Sequence, residues 1–133
     1  MEVRTGMSSV VLTVGPSHTL REAAQKMSEK GTGAALVFDE MSPAPRIITE
    51  RDILLAVGSG KDPDEAKVGD HMSDSVISAA PEWSLERAAA EMVRRGIRHL
   101  VVVEGGELIG VLSMRDIVRV WTTEGATSGM SPP

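Results

Sequence analysis

The feature that most constrains how this chain can fold is that its sequence repeats itself. With Pro16 aligned on Pro81, the halves match at a spacing of about 65 residues, which becomes about 64 after a loop shortens. The matched pairs are Leu20/Leu85, Ala23/Ala88, Ala24/Ala89, Met27/Met92, Gly31/Gly96, Val37/Val102, Thr49/Ser113, Arg51/Arg115, Asp52/Asp116 and Ile53/Ile117. Because self-similarity at a fixed period indicates a repeated supersecondary unit, we expect two copies of one unit.

Each repeat predicts the same βαββα order of elements. Apolar residues at i, i+3, i+4 and i+7 predict amphipathic helices over 20–30 and 85–95, each stopped by a glycine. A short strand precedes each helix, two strands follow it, and a second helix closes the repeat. The predicted strands are 10–14, 35–38, 46–49, 76–79, 100–103 and 108–113, and the closing helices are 50–57 and 114–121. Pro43 and Pro45 resist strand pairing and predict a longer loop in the first repeat.

The domain organisation follows from these elements. We predict a first repeat over 6–58, a linker over 59–67, a second repeat over 68–121 and a flexible tail over 122–133 that is small, polar and rich in Pro and Gly. Neither repeat can bury both faces of a three-stranded sheet alone. The predicted fold class is therefore α+β, with the two units packed as a pseudo-twofold sandwich.

Composition and charge argue against several classes of function. A net charge of −5 and only three aromatic residues disfavour nucleic-acid binding. The chain has no cysteine and no apolar run of membrane-span length, and His18, His71 and His99 lack metal-ligand spacing. It contains no Walker-type phosphate loop and no catalytic triad order. We therefore expect a cytoplasmic, non-enzymatic protein without a metal site.

A short polar string occurs at the same place in both repeats. Thr49-Glu50-Arg51-Asp52 and Ser113-Met114-Arg115-Asp116 each place a hydroxyl at a strand end and a carboxylate three residues later, in the first turn of a helix. The carboxylate can accept hydrogen bonds from a ribose diol, whereas the hydroxyl, the helix amides and the Arg suit phosphate. The same spacing is also a structural capping box. A cap does not require the repeated Arg, which favours a nucleotide site.

The repeat and the strings IITERDI and VLSMRDI resemble the CBS-domain family, named after cystathionine β-synthase, whose paired form is the Bateman module. The resemblance covers residues 6 to 121. It implies the pseudo-twofold sandwich, clefts between the repeats that bind AMP, ADP, ATP or S-adenosylmethionine, and a homodimer of modules.

The resemblance also implies site residues, because each cleft of that family takes its polar string from one repeat and its base-contacting residues from the other. One cleft would combine Val111, Ser113, Arg115 and Asp116 with His18, Ala23, Thr32 and Gly33. The other would combine Ile47, Thr49, Arg51 and Asp52 with Trp83, Ala88, Ile97 and Arg98. The small Ala23 and Ala88 would leave room for a flat ring. The glycine that usually opens the string is Gly110 in the second repeat but Arg46 in the first, which weakens the expectation for the Asp52 cleft.

Two functions remain open from the sequence. The first is a stand-alone regulatory sensor that binds an adenosine-type nucleotide and passes a signal to an unidentified effector protein. The second is a ligand-free dimerisation or scaffold module, in which Asp52 and Asp116 serve only as helix caps.

Overall fold

The computed structural model describes residues 1–74 and 76–127, which form two compact units. The first-repeat unit comprises residues 11–76, and the second-repeat unit comprises residues 1–10 and the chain from Ile77 onward. The first-repeat unit contains β1 (Thr13–Val14), α2 (Leu20–Lys30), β2 (Ala34–Asp39), β3 (Ser42–Thr49) and α3 (Glu50–Gly58). The second-repeat unit contains α1 (Val3–Gly6), β4 (Ser78–Ala79), α4 (Leu85–Arg95), β5 (His99–Glu104), β6 (Glu107–Ser113) and α5 (Met114–Thr127).

Each unit is built on one three-stranded sheet. The orders are β1-β2-β3 and β4-β5-β6, with the first pair of each sheet parallel and the second antiparallel. Parallel neighbours need a crossover connection, and α2 and α4 supply it. The α+β fold class is confirmed.

Helices α2 and α4 begin and end where the sequence predicts. Thr19 caps α2 in a reciprocal capping box with Glu22, whereas Ser84 caps α4 through its hydroxyl. Both helices end on a glycine, Gly31 or Gly96, whose φ of 66° lies in the left-handed region that glycine adopts without strain.

Each helix buries an apolar stripe against its own sheet. The core of the first-repeat unit contains Val14, Leu20, Ala23, Met27, Ala35, Val37, Ile48, Ala56 and Val68. The core of the second-repeat unit contains Val3, Ala79, Leu85, Ala88, Met92, Leu100, Val102, Leu112, Ile117 and Val120. Equivalent positions of the two repeats thus fill two similar cores.

The segment that precedes each repeat in sequence packs on the other repeat. Residues 1–10, called here the leading segment, bridge the second-repeat unit at Glu2–Ser84 and Ser8–Val111. Residues 67–73 bridge the first-repeat unit in the same way, at Thr19–Lys67 and Ile47–Ser73. The two segments align with each other, Val3 with Val68, Met7 with Met72 and Ser8 with Ser73. The match between the repeats therefore extends back to Val3 in the first repeat, before the predicted start at residue 6, and to Val68 in the second, which is the predicted start of that repeat.

Other boundaries also differ from the predictions. Strands β1 and β4 are only two residues long, and β3 begins at Ser42, so that Pro43 and Pro45 lie within a strand. Proline is tolerated there because neither proline has a register partner in β2, where the pairing is irregular between Val37 and Asp39. Helix α5 continues to Thr127 rather than ending at Trp121. The rest of the predicted flexible tail, 128–133, lies outside the described residues.

Candidate functional site

The polar string of the first repeat forms the start of α3. Thr49 Oγ1 accepts a hydrogen bond from Asp52 N at 3.3 Å, and Asp52 Oδ2 accepts from Thr49 N at 2.8 Å and from Thr49 Oγ1 at 3.0 Å. This is a complete capping box. The capping interpretation of the string is therefore confirmed for the first repeat.

The polar string of the second repeat makes the same arrangement at the start of α5. Ser113 Oγ accepts from Asp116 N at 3.0 Å, and Asp116 Oδ2 accepts from Ser113 N at 2.9 Å. One carboxylate oxygen, Oδ2, thus serves the cap in both repeats. Asp116 Oδ1 lies 3.5 Å from Arg119 Nη2. Capping occupies only part of the hydrogen-bonding capacity of each carboxylate, so a cap and a ligand contact are compatible.

The two helix starts differ in the charge beside them. In both units the first amide of the last helix donates to a carbonyl in the loop before the second strand. Glu50 N donates to Gly33 O at 2.9 Å, and Met114 N donates to Arg98 O at 2.8 Å. In the first-repeat unit the Glu50 carboxylate crowds Gly33, because a Cβ there would lie 2.9 Å from Glu50 Oε1. In the second-repeat unit these positions are Met114 and an exposed Arg98. One helix start therefore carries an additional carboxylate and the other an additional guanidinium.

Ile47 and Val111, the apolar residues of the predicted sites, already use their backbone groups. Ile47 exchanges two hydrogen bonds with Ser73, and Val111 exchanges two with Ser8, at 2.9 and 3.0 Å. The glycine before Val111 is needed for this approach, since a Cβ on Gly110 would lie 2.6 Å from Ser8 O. The structure thus gives Gly110 a contact with the leading segment, where the sequence analysis connected it with a ligand.

The residues predicted to face the adenine base lie in several different environments. Ala23 and Ala88 are core residues with 0% exposure, so they offer a ligand no surface in this structure. Thr32 is half-buried at the end of α2, and Ile97 packs against the core of its unit. His18 Nδ1 lies 2.9 Å from Gly15 N and 3.3 Å from Gly15 O, so the ring contacts the turn that precedes α2.

The remaining predicted residues are cationic or aromatic. Arg51 and Arg115 are exposed at the second helical position of α3 and α5. Trp83 is half-buried against the core, and the Arg87 guanidinium covers its ring at 3.8 Å from the centroid. The hydrogen bonds from Glu50 N to Gly33 O and from Met114 N to Arg98 O place each string beside the loop that precedes the second strand of its own repeat.

Two features of the second site were missed from the sequence. Arg119 and the leading segment both border the Ser113 string, since Arg119 Nη2 donates to Gly6 O at 3.2 Å. The match of Val3, Met7 and Ser8 to residues 68, 72 and 73 was a signal that could have identified the segment.

No helix among the described residues is both long and apolar enough to cross a membrane. Within 1–74 and 76–127, no three His, Asp or Glu side chains are grouped to hold a metal ion.

The sequence and fold are similar to those of known proteins. The family model for the CBS domain matches residues 2–59 and 68–122. YhcV, a CBS domain-containing protein of Bacillus subtilis, is 33% identical over 97% of this chain and 92% of its own length. An uncharacterized protein of Methanopyrus kandleri is 41% identical over 83% of this chain, which spans only 57% of that relative.

Solved structures are similar to this chain in sequence and in fold. A CBS domain protein of Pyrobaculum aerophilum, complexed with AMP, is 32% identical with a TM-score of 0.78, covering 96% of this chain and 99% of that one. A hexameric CBS-CP12 protein from bloom-forming cyanobacteria has a TM-score of 0.81 at 27% identity, covering 90% and 71%. With both repeats matched by one family model, the chain belongs to the CBS domain family.

Proposed function

We propose that this chain is a regulatory module that binds an adenosine nucleotide at the Ser113–Asp116 string. The observation that carries the proposal is the chemistry at the start of α5. An aspartate that uses Oδ2 for its cap stands there beside a helix amino terminus and the exposed Arg98. Such a start attracts anions through its amides and dipole. The AMP complex of the related Pyrobaculum aerophilum protein supports AMP as the first ligand to test.

Each residue of the string has a role in this proposal. Asp116 accepts hydrogen bonds from ribose hydroxyls, Ser113 and the helix amides contact phosphate oxygens, and Arg115 adds a charge-assisted bond to phosphate. Arg98, which the family resemblance assigns to the Asp52 cleft, is proposed instead for the phosphate at Asp116, because its carbonyl accepts from Met114 N at the start of α5. The contacts assigned to His18, Ala23, Thr32 and Gly33 stay predictions, and the burial of Ala23 does not favour a contact there. ADP, ATP and S-adenosylmethionine remain alternative ligands that share the adenosine group.

The Thr49–Asp52 string is proposed as the weaker site for a phosphorylated ligand. Glu50 places a carboxylate against Gly33, where the second repeat has Met114 and Arg98. A like charge beside a bound phosphate weakens binding, and the loss is greatest at low salt. The contacts assigned to Ile47, Arg51, Trp83, Ala88 and Ile97 stay predictions as well.

Matched cap variants separate ligand binding from capping. Ser113→Ala and Thr49→Ala each remove one cap hydroxyl and should cost about 0.5–2 kcal/mol of stability. By isothermal titration calorimetry, Ser113→Ala should raise the Kd for AMP about tenfold, equivalent to about 1.4 kcal/mol, while Thr49→Ala changes it much less. Equal effects of the two variants would reject the assignment to the second repeat. No heat of binding with wild type at millimolar AMP, ADP, ATP and S-adenosylmethionine would favour the ligand-free scaffold.

The role of charge can be tested by copying the first repeat into the second. Met114→Glu introduces the carboxylate that Glu50 supplies in α3. We expect this variant to bind AMP about tenfold more weakly at low salt and adenosine nearly as well as wild type, because only AMP carries the phosphate. A parallel loss for AMP and adenosine would place the phosphate elsewhere.

The module is further proposed to act as a homodimer that signals to an effector protein rather than as an enzyme. The two repeats expose apolar side chains at equivalent positions of their last helices, Leu54 and Val57 on α3 and Val118 and Trp121 on α5. Repeated exposure of large apolar groups on helix surfaces is typical of protein-protein contacts. The hexameric state of the CBS-CP12 protein supports assembly as a property of related chains.

A further inference from the structure

We propose that Asp116 holds the leading segment in place through Arg119, so that a ligand engaging this carboxylate loosens the segment. The inference rests on the proposed function only for the identity of the ligand. The leading segment would then be the structural element that reports ligand binding to a partner protein.

The leading segment is attached to the second-repeat unit by backbone pairing, by Val3 in the core, by Met7 packed against the core, and by an ion pair between Arg4 and Glu104. Val3 N donates to Trp83 O at 2.8 Å and Arg4 N to Pro81 O at 3.0 Å, and Leu85 N donates to Met1 O at 2.9 Å. Val3 lies in the core, whereas Ser8, Ser9 and Val10 are exposed. Gly6 is buried beside Leu112 and Val120, and Met7 packs against the core, so local opening is confined to the exposed residues 8–10.

Arg119 connects the buried Gly6, just before the exposed end of the segment, to the candidate site. Its Nη2 atom donates to Gly6 O at 3.2 Å and lies 3.5 Å from Asp116 Oδ1. The Arg119 side chain is 58% exposed, so it would be free to rotate without an anchor. The carboxylate orients the guanidinium toward Gly6, which makes Arg119 a positioning residue that acts between the site and the segment.

A nucleotide at the proposed site would compete for both ends of the Asp116–Arg119 pair. Ribose hydroxyls would bond Asp116 Oδ1, and phosphate would attract the Arg119 guanidinium by charge. Either event withdraws Arg119 from Gly6 O and leaves a buried glycine carbonyl without its donor. Because coupling between two sites is reciprocal, a loosened segment should also raise the affinity for the ligand.

The first repeat lacks this connection and therefore supplies the control. Leu55 stands at the position of Arg119 and His71 at the position of Gly6. Asp52 makes the same capping bonds as Asp116, so Asp52→Asn and Asp116→Asn perturb equivalent caps. Only Asp116→Asn removes the partner of Arg119.

Amide hydrogen exchange, followed by NMR on the full chain, tests the link without any ligand. Ser8 and Val111 donate to each other's carbonyls across the segment boundary, and their amides report its opening. Arg119→Gln and Asp116→Asn should each speed this exchange about threefold to tenfold, the effect of one hydrogen bond, while Asp52→Asn leaves it unchanged. If Asp116→Asn behaves like Asp52→Asn, the proposal is overturned.

Addition of AMP tests the ligand half and separates it from the proposed function. Calorimetry on the same samples establishes whether AMP binds. Bound AMP should speed exchange at Ser8 and Val111 in wild type and have no further effect in Arg119→Gln. Bound AMP with unchanged or slower exchange would overturn the proposal. Absence of AMP binding would contradict the proposed function alone, because the variants without ligand still decide the link between Asp116 and the segment.

Discussion

At the scale of single residues, Gly110 shows how a position can be constrained by its own chain. A Cβ there would lie 2.6 Å from Ser8 O and 3.1 Å from Met7 Sδ. The carbonyl belongs to the bridge between Ser8 and Val111 and cannot move without loss of two hydrogen bonds. We expect Gly110→Ala to destabilise the protein by about 1–3 kcal/mol, the usual cost of overpacking, measured by urea unfolding.

The first repeat gives the control for this prediction. Arg46 occupies the equivalent position, and its Nε atom pairs with Asp74 Oδ1 at 2.8 Å. A side chain is therefore accommodated there, and Arg46→Ala should cost no more than about 1 kcal/mol, as expected for a partly exposed ion pair. Equal losses for Gly110→Ala and Arg46→Ala would show that the Ser8 contact does not constrain Gly110.

At the scale of secondary-structure elements, the caps of α2 and α4 predict different responses to pH. Glu22 accepts hydrogen bonds from Thr19 N and Oγ1 in the α2 cap, and these bonds lower the pKa of its carboxyl in the folded protein. A carboxyl with a lowered folded pKa stabilises the fold above its unfolded pKa, and the gain is lost as pH falls through the folded value. Glu22→Gln should therefore lower Tm relative to wild type at pH 7, with the difference shrinking toward pH 3.

Helix α4 supplies the comparison for the pH prediction. Arg87 takes the place of Glu22 there, so the α4 cap has no carboxylate at this position. Any loss of stability in Arg87→Gln, which also removes the contact with Trp83, should be similar at pH 7 and pH 3. A Tm difference for Glu22→Gln that stays constant with pH would show that its carboxylate does not contribute to the cap.

The helices were more predictable from the sequence than the strands for a physical reason. Thr19, Ser84, Gly31 and Gly96 fix the ends of α2 and α4 through bonds within a few residues. The extents of β1 and β4 depend instead on pairing with β2 and β5, which lie more than ten residues away. Helix caps can be predicted from a single sequence because their hydrogen bonds join neighbouring residues. Strand pairing across a crossover is determined only in the folded chain.

The parts of the candidate site that lie close together in sequence could also be predicted, whereas its long-range contacts could not. The strings at Thr49 and Ser113 could be identified because hydroxyl and carboxylate lie three residues apart and recur. The approach of Arg119 to Gly6 joins residues more than a hundred positions apart, and only the fold brings them together. Ala23 and Ala88 are expected beside a ligand from the family resemblance, but their helical spacing already indicates the core position that the structure shows.

At the scale of the whole molecule, exposed apolar side chains on α3 and α5 are candidates for the contact between modules. The exposed pairs Leu54/Val57 and Val118/Trp121 occupy equivalent positions of α3 and α5, as expected for a surface that is used twice. Burial of one leucine side chain contributes about 1.5–3 kcal/mol, so a charge at Leu54 should raise the dissociation constant of the proposed dimer at least tenfold. Sedimentation equilibrium of Leu54→Glu against wild type measures this change.

Val93 on α4 provides a control of equal exposure and different placement. Its side chain is 74% exposed, against 70% for Leu54, and it lies on a different helix from the apolar pairs of α3 and α5. Substitution of either residue by Glu should change monomer stability by less than about 0.5 kcal/mol, because neither is buried in its unit. If the exposed apolar pairs of α3 and α5 drive association, Leu54→Glu weakens it and Val93→Glu does not. Equal sedimentation of both variants and wild type as monomers would place regulation within a single chain, where the leading segment is the element that could carry the signal.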